Sequence, residues 1–138
     1  WKDAAAKSGA TAMGARPLMV AFNVNLSGGS KNELLVAAKQ IARAIRERDG
    51  GLPGVKSIGW YIPDLDVVQV SCNLTKPFET GVCEVFQTVQ KQAMTLGYLA
   101  PDSELIGCIP ERQFEICTPS TLGLGRFKPM TPDRILPY

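Results

Sequence analysis

Along residues 17–26, "PLMVAFNVNL", an extended chain sets Leu18, Val20, Phe22, Val24 and Leu26 on one side and Met19, Ala21, Asn23 and Asn25 on the other. A period of two with one apolar side predicts a strand against a core. The period then lengthens. Leu34, Leu35, Ala38, Ile41, Ala42 and Ile45 recur at helical spacing, Ser30 with Glu33 three positions on forms a capping-box pattern, and Gly50-Gly51 marks the end. "VKSIGWYI" (55–62) and "DVVQVSCNL" (66–74) read as a hairpin about the turn Pro63-Asp64-Leu65. In its second strand Val68, Val70, Cys72 and Leu74 oppose Val67, Gln69, Ser71 and Asn73.

A second helix, capped by Thr80, carries Val82, Val85, Phe86, Val89, Ala93 and Leu96 on one face and closes at Gly97. "SELIGCI" (103–109) predicts a fourth strand ended by Pro110, and the proline- and glycine-bearing remainder predicts an irregular tail with one short helix. The order β-α-β-β-α-β, with right-handed crossovers, predicts an α+β ferredoxin-like fold. In it a four-stranded antiparallel sheet carries both helices on one face, and the first and third strands are central. The expected organisation is a lead-in over 1–16, the ferredoxin-like unit over 17–110 and the tail over 111–138.

At 138 residues, 45% apolar and 20% charged, the chain has the makings of a single cored domain. A net charge of +2 gives no electrostatic argument for nucleic acid, and no apolar run approaches the roughly 20 residues of a membrane span. No secretory leader is visible. Cys72, Cys83, Cys108 and Cys117 form no CxxC pair and histidine is absent, so no metal site is expected. The four cysteines read as reduced thiols of a cytoplasmic protein, at least three of them as small core residues. With no histidine, acid–base work would fall to a carboxylate, lysine or tyrosine. The chain opens on Trp1 and reads as a piece of something longer.

The strand periodicity puts Asn23, Asn25, Gln69, Ser71 and Asn73 together on the face away from the helices. Carboxamides offer donors and acceptors in fixed geometry, which suits a heterocycle or a peptide-like group; a solvated sheet face is the plainer reading. "SGGSK" (27–31) precedes a helix and suits either an anion or an ordinary turn. The cations Lys39, Arg43 and Arg46 read as a solvated helix face. Residues 8–16, "SGATAMGAR", also have two readings. Gly9, Ala10, Ala12, Gly14 and Ala15 permit close approach of a ligand to backbone, with Ser8, Thr11, Met13 and the cation of Arg16 beside them; the same residues would serve as a linker along the sheet edge.

"GATAMGARPLMVAFNVNL", "GVKSIGWYIPDLDVVQVSCNLT" and "ELIGCIP" resemble the C-terminal half of the formiminotransferase domain, found in glutamate formimidoyltransferase and formimidoyltransferase-cyclodeaminase. The resemblance runs from about Ser8 to Pro110 and resumes weakly in "FKPMTPDRILPY". It implies transfer of a formimino group from N-formimino-L-glutamate to tetrahydrofolate, a step of histidine catabolism that feeds one-carbon metabolism. It further implies two ferredoxin-like halves with folate between them and a catalytic histidine in the N-terminal half, a partner this chain lacks. The family's folate-contacting stretch matches Ser8, Gly9, Ala10, Thr11, Ala12, Met13, Gly14 and Ala15. Arg16 is then the candidate to orient a carboxylate of folate's glutamate tail, and Asn23, Asn25 and Asn73 are candidates for the ligand's polar edges. No residue here is expected to be catalytic, so the isolated chain is expected to bind folate weakly and turn nothing over. The parent protein is expected to be a homo-oligomer. The segment after Pro110 is shorter than the family's usual helical region, which points to a divergent C-terminal packing.

Two other functions fit the predicted fold. An RNA-binding module would stack bases on aromatics of its central strands, but "VVQVSCNL" has none. A ferredoxin-like small-molecule-binding regulatory module without catalysis remains the alternative.

Overall fold

The computed structural model describes residues 7–137. The lead-in over 1–16 therefore lies only partly within the described residues. Strand β1 (Val20–Leu26) is followed by helix α1 (Lys31–Ile45), the hairpin β2 (Val55–Ile62) and β3 (Val67–Leu74), helix α2 (Val82–Thr95) and strand β4 (Ser103–Ile106). The antiparallel sheet runs β2-β3-β1-β4, with β1 and β3 central as the pattern requires. This is the ferredoxin-like α+β arrangement.

Side-chain alternation decides the layers. Val20, Phe22, Val24 and Leu26 of β1 and Val68, Val70, Cys72 and Leu74 of β3 are buried in one cluster with Ile41 and Ile45 of α1 and Val85, Phe86 and Val89 of α2. Helix α1 starts as expected: the Glu33 N–H donates to Ser30 Oγ at 3.5 Å and the Ser30 N–H donates to Glu33 Oε2 at 2.9 Å. The helix stops at Ile45, short of the glycines. Arg46 turns extended and a 3-10 turn (Glu47–Asp49) carries the chain to Gly50 at φ 88. Gly59 of β2 lets α1 pack closely, because a Cβ there would lie 2.3 Å from the backbone of Ala38 and Lys39.

Several boundaries differ from expectation. β1 begins at Val20 rather than at residue 17. Thr80 does not cap α2; Gly81 occupies that position without a side-chain bond of its own. The cap comes from the tail: Gln113 Oε1 accepts the Val82 N–H at 3.0 Å, and Gln113 Nε2 donates to the Pro77 carbonyl at 2.7 Å. The fourth strand ends at Ile106, where Gly107 at φ 77 breaks it. Beyond that break β5 (Ile109–Pro110) pairs in parallel with β6 (Ile135–Leu136).

Where a short helix is expected after Pro110 the tail has a 3-10 turn (Glu111–Phe114), with a second at Pro132–Arg134, and it is well packed despite its irregularity. Leu122 and Leu124 join the core, and Ser103 Oγ donates to the Leu122 carbonyl at 2.7 Å. This packing overturns the reading of four reduced thiols. The tail folds back across the first turn of α2, bringing the Cα atoms of Cys83 and Cys117 to 5.6 Å in a disulfide. Cys72 is a buried thiol, pushed up to about 12 by burial, and Cys108 is exposed and free. Among the described residues no helix is long and apolar enough to cross a membrane.

Candidate functional site

The sheet face away from the helices is ordered by the strand register into rows. One row runs Trp60, Gln69, Asn25 across β2, β3 and β1; the next runs Ile58, Ser71, Asn23, Glu104 across all four strands. A third holds Lys56, Asn73, Ala21 and Ile106. The plainer reading, a solvated face, does not hold at its centre: Asn23 and Asn25 are each 5% exposed, and Gln69, opposite Asn25 on β3, is fully enclosed. Trp60, Glu104 and the returning tail crowd around them.

The hydrogen bonds have a direction. Trp60 Nε1 donates to Gln69 Oε1 at 3.2 Å; Gln69 Nε2 donates to Asn25 Oδ1 at 2.7 Å and to Glu104 Oε2 at 3.1 Å; Asn25 Nδ2 donates to Asp102 Oδ1. Ionised carboxylates only accept, so Glu104 and Asp102 fix which way each amide points. Lys128 Nζ, from the tail, closes the network on Glu104 Oε1 at 2.5 Å. Burial is the largest single influence on Glu104 and raises its pKa. The hydrogen bonds from Lys128, Gln69 and Asn23, with the Lys128 charge, together outweigh it and hold the carboxyl below its ordinary value. At neutral pH Glu104 is an anion and an acceptor, not a proton donor.

No buried side-chain nitrogen or oxygen among the described residues lacks a partner. The network is therefore internally satisfied, a pinned set of side chains rather than a set of vacant donors. Around it stand apolar groups that stay open: Ile58 is 57%, Trp60 42% and Ile106 50% exposed. A groove of about 480 Å³ at the β4 edge joins Glu104 and Ile106 to Lys128, Met130 and Arg134 of the tail.

The expected site residues divide into groups. Asn23 and Asn25 lie at the centre of the network. Asn73 is exposed near one end of β3, one row beyond Asn23. Ser8, Gly9, Ala10, Thr11, Ala12, Met13, Gly14, Ala15 and Arg16 are exposed and belong to no strand, and Arg16 Nη1 donates to Met19 Sδ at 2.7 Å. The structure does not bring this segment onto the amide network. Trp60, Glu104, Asp102 and Lys128 were not anticipated. Glu104 had a signal, a carboxylate between Ser103 and Leu105 in a predicted strand; Lys128 had none, because only the path of the tail brings it there.

Fold and face define a ferredoxin-like α+β domain whose polar side chains lie on the face its helices leave free. A family model described as the formiminotransferase domain matches residues 21–118. The chain belongs to that family. It is 39% identical over 106 residues to a glutamate formimidoyltransferase of Thermoplasma acidophilum, a match covering 77% of this chain and 34% of that protein. It is 36% identical over 108 residues to a formimidoyltransferase-cyclodeaminase of Dictyostelium discoideum, covering 74% of this chain and 19% of the relative. A Sus scrofa protein of the same name is 35% identical over 108 residues, with the same two shares. The chain thus spans about a third of the first of these relatives and about a fifth of the other two.

Proposed function

We propose that this chain is the folate-binding C-terminal half of a glutamate formimidoyltransferase, which moves the formimino group of N-formimino-L-glutamate to tetrahydrofolate in histidine catabolism. The observation that carries the reading is the pinned amide row with its ionised Glu104, on a sheet face that this chain's helices leave free. In this reading the N-terminal half of the parent covers that face, and tetrahydrofolate lies in the cleft between them. A flat, amide-lined surface with an acceptor at its centre and an indole at its margin fits a planar heterocycle that carries N–H donors.

When bound, tetrahydrofolate supplies the amine that takes up the formimino carbon. This chain's residues bind and orient. Asn23 and Glu104 meet the ligand's polar edge, and the exposed 8–16 segment, which lies apart from the amide network, takes the ligand's tail, with Arg16 pairing with a carboxylate. Protonation of the departing glutamate falls to the other half, since Glu104 is already ionised and histidine is absent here. The parent is a cytoplasmic homo-oligomer in this reading.

Calorimetric titration of the 138-residue chain with tetrahydrofolate tests it. Binding is expected near 1 mM, about 4 kcal/mol. Arg16→Ala and Asn23→Ala are each expected to weaken it roughly fivefold, the size of one net hydrogen bond. Formimino transfer should be undetectable. Turnover by this chain alone, or binding indifferent to both substitutions, overturns the reading.

A further inference from the structure

The tail from Lys128 to Arg134 runs along the outer edge of β4 and is tied to that strand at both ends. Lys128 Nζ donates to Glu104 Oε1 at 2.5 Å, and Arg134 Nη1 donates to the Leu105 carbonyl at 3.4 Å. Just past Arg134 the chain is fixed again, because Ile135 and Leu136 of β6 pair with Ile109 and Pro110 of β5. Between the two ties lies the groove of about 480 Å³, a size that small ligands fill.

Its lining divides by chemistry. Ile106, Pro129 and Met130 supply apolar wall. Of the residues that line it one is acidic, Glu104, and Lys128 already meets that charge; Arg134 has no ion pair among the described residues, so the groove carries a net positive charge. Donors remain as well. An ammonium has three N–H groups and a guanidinium five, and bonds within the described chain take one of each. The anchors of the two cations are successive residues of β4, with Cα atoms about 3.8 Å apart, so both cations are held where they can bracket a short molecule.

We propose that this groove seats the glutamate portion of N-formimino-L-glutamate, with Lys128 and Arg134 each taking one of its two carboxylates. The methylenes between the carboxylates then lie on Ile106 and Met130, and the planar fork of Arg134 suits a carboxylate bidentately. The inference rests on the proposed function for the identity of the substrate; the fit to a short dicarboxylate rests on the groove alone. Glu104 lines the groove and also belongs to the amide row, so a substrate seated here lies beside the face on which tetrahydrofolate is placed above. Its carboxylates are separate from the one assigned to Arg16. Lys128, Met130 and Arg134 all follow residue 118, the last of the family match, so it is the folded tail that brings them to the site.

An NMR titration of the 138-residue chain, followed by its backbone amide shifts, is the test. N-formimino-L-glutamate and L-glutamate are each expected to bind with a Kd of about 1 mM, with the largest shifts at Ile106, Met130 and Arg134. L-glutamine, in which one carboxylate is an amide, should bind about tenfold more weakly. Arg134→Gln should weaken L-glutamate by about the same factor, and Arg134→Lys, which keeps the charge and loses the fork, should fall between. Tetrahydrofolate should bind Arg134→Gln as it binds the wild type. Failure of both dicarboxylates to bind, or binding indifferent to Arg134→Gln, overturns the inference. So does an equal loss of tetrahydrofolate affinity in Arg134→Gln, because the groove would then hold the glutamate tail of the folate. The two readings fail separately. Dicarboxylate binding without tetrahydrofolate binding upholds the groove and removes the proposed function; tetrahydrofolate binding alone does the reverse.

Discussion

Glu104 sits between opposed influences. Enclosure in the sheet face disfavours its charge, while Lys128, Gln69 and Asn23 all stabilise that charge and prevail. Folding therefore holds the carboxyl below the value of about 4.3 that a free glutamate shows. The anion's contribution to stability is complete above that unfolded value and is lost as pH falls through the folded one. Urea unfolding across pH 3–7 should show the wild type losing stability below about pH 4.5. In Glu104→Gln this part of the acid limb should be flatter. At pH 7 the variant should be destabilised by roughly 1–2 kcal/mol, because Lys128 loses its charged acceptor. An acid limb unchanged by the substitution would mean that Glu104 titrates at its ordinary value.

At the scale of elements, local period decides a strand's layer wherever the alternation is strict. Val20 to Leu26 and Val68 to Leu74 alternate strictly, so their layer, their central position and the identity of the polar face were legible. What escaped was set by contacts distant in sequence. Thr80 looked like a cap because a hydroxyl near a helix start usually is one, yet the α2 N-terminus is met by Gln113, 31 residues from Val82. Alternation alone puts Asn25 on the face away from the helices, but its burial depends on Asp102 and Gln69, which only the folded chain brings alongside. The Gln113 cap makes a definite prediction. Gln113→Ala removes the acceptor for the Val82 N–H and the donor to Pro77, and should cost about 1–2 kcal/mol. It should lower the urea midpoint without changing the slope of the transition.

For the molecule as a whole, the question is what fastens the tail. Two attachments act in series: the disulfide from Cys83 in the first turn of α2 to Cys117, and then Leu122 and Leu124 buried in the core with Ser103 Oγ bonded to the Leu122 carbonyl. The second lies between the disulfide and Lys128, so it holds Lys128 on Glu104 whether or not the sulfurs are joined. Reduction should therefore act on stability and leave the polar face intact. The two cysteines are 34 residues apart, and closing a loop of that length in the unfolded chain is worth roughly 3–4 kcal/mol in the chain-entropy treatment. Cys117→Ser in oxidising buffer should lose about that much, dithiothreitol should bring the wild type down to the same level, and the acid limb assigned to Glu104 should survive in both. Thiol counting gives an independent check. The native oxidised chain should expose Cys108 alone to a thiol reagent, while Cys72, enclosed and with its pKa raised to about 12, should react only after unfolding. If the native oxidised chain instead yields the thiols of Cys83 and Cys117, the tail is held by its apolar anchors alone, and reductant should then leave the unfolding midpoint where it was.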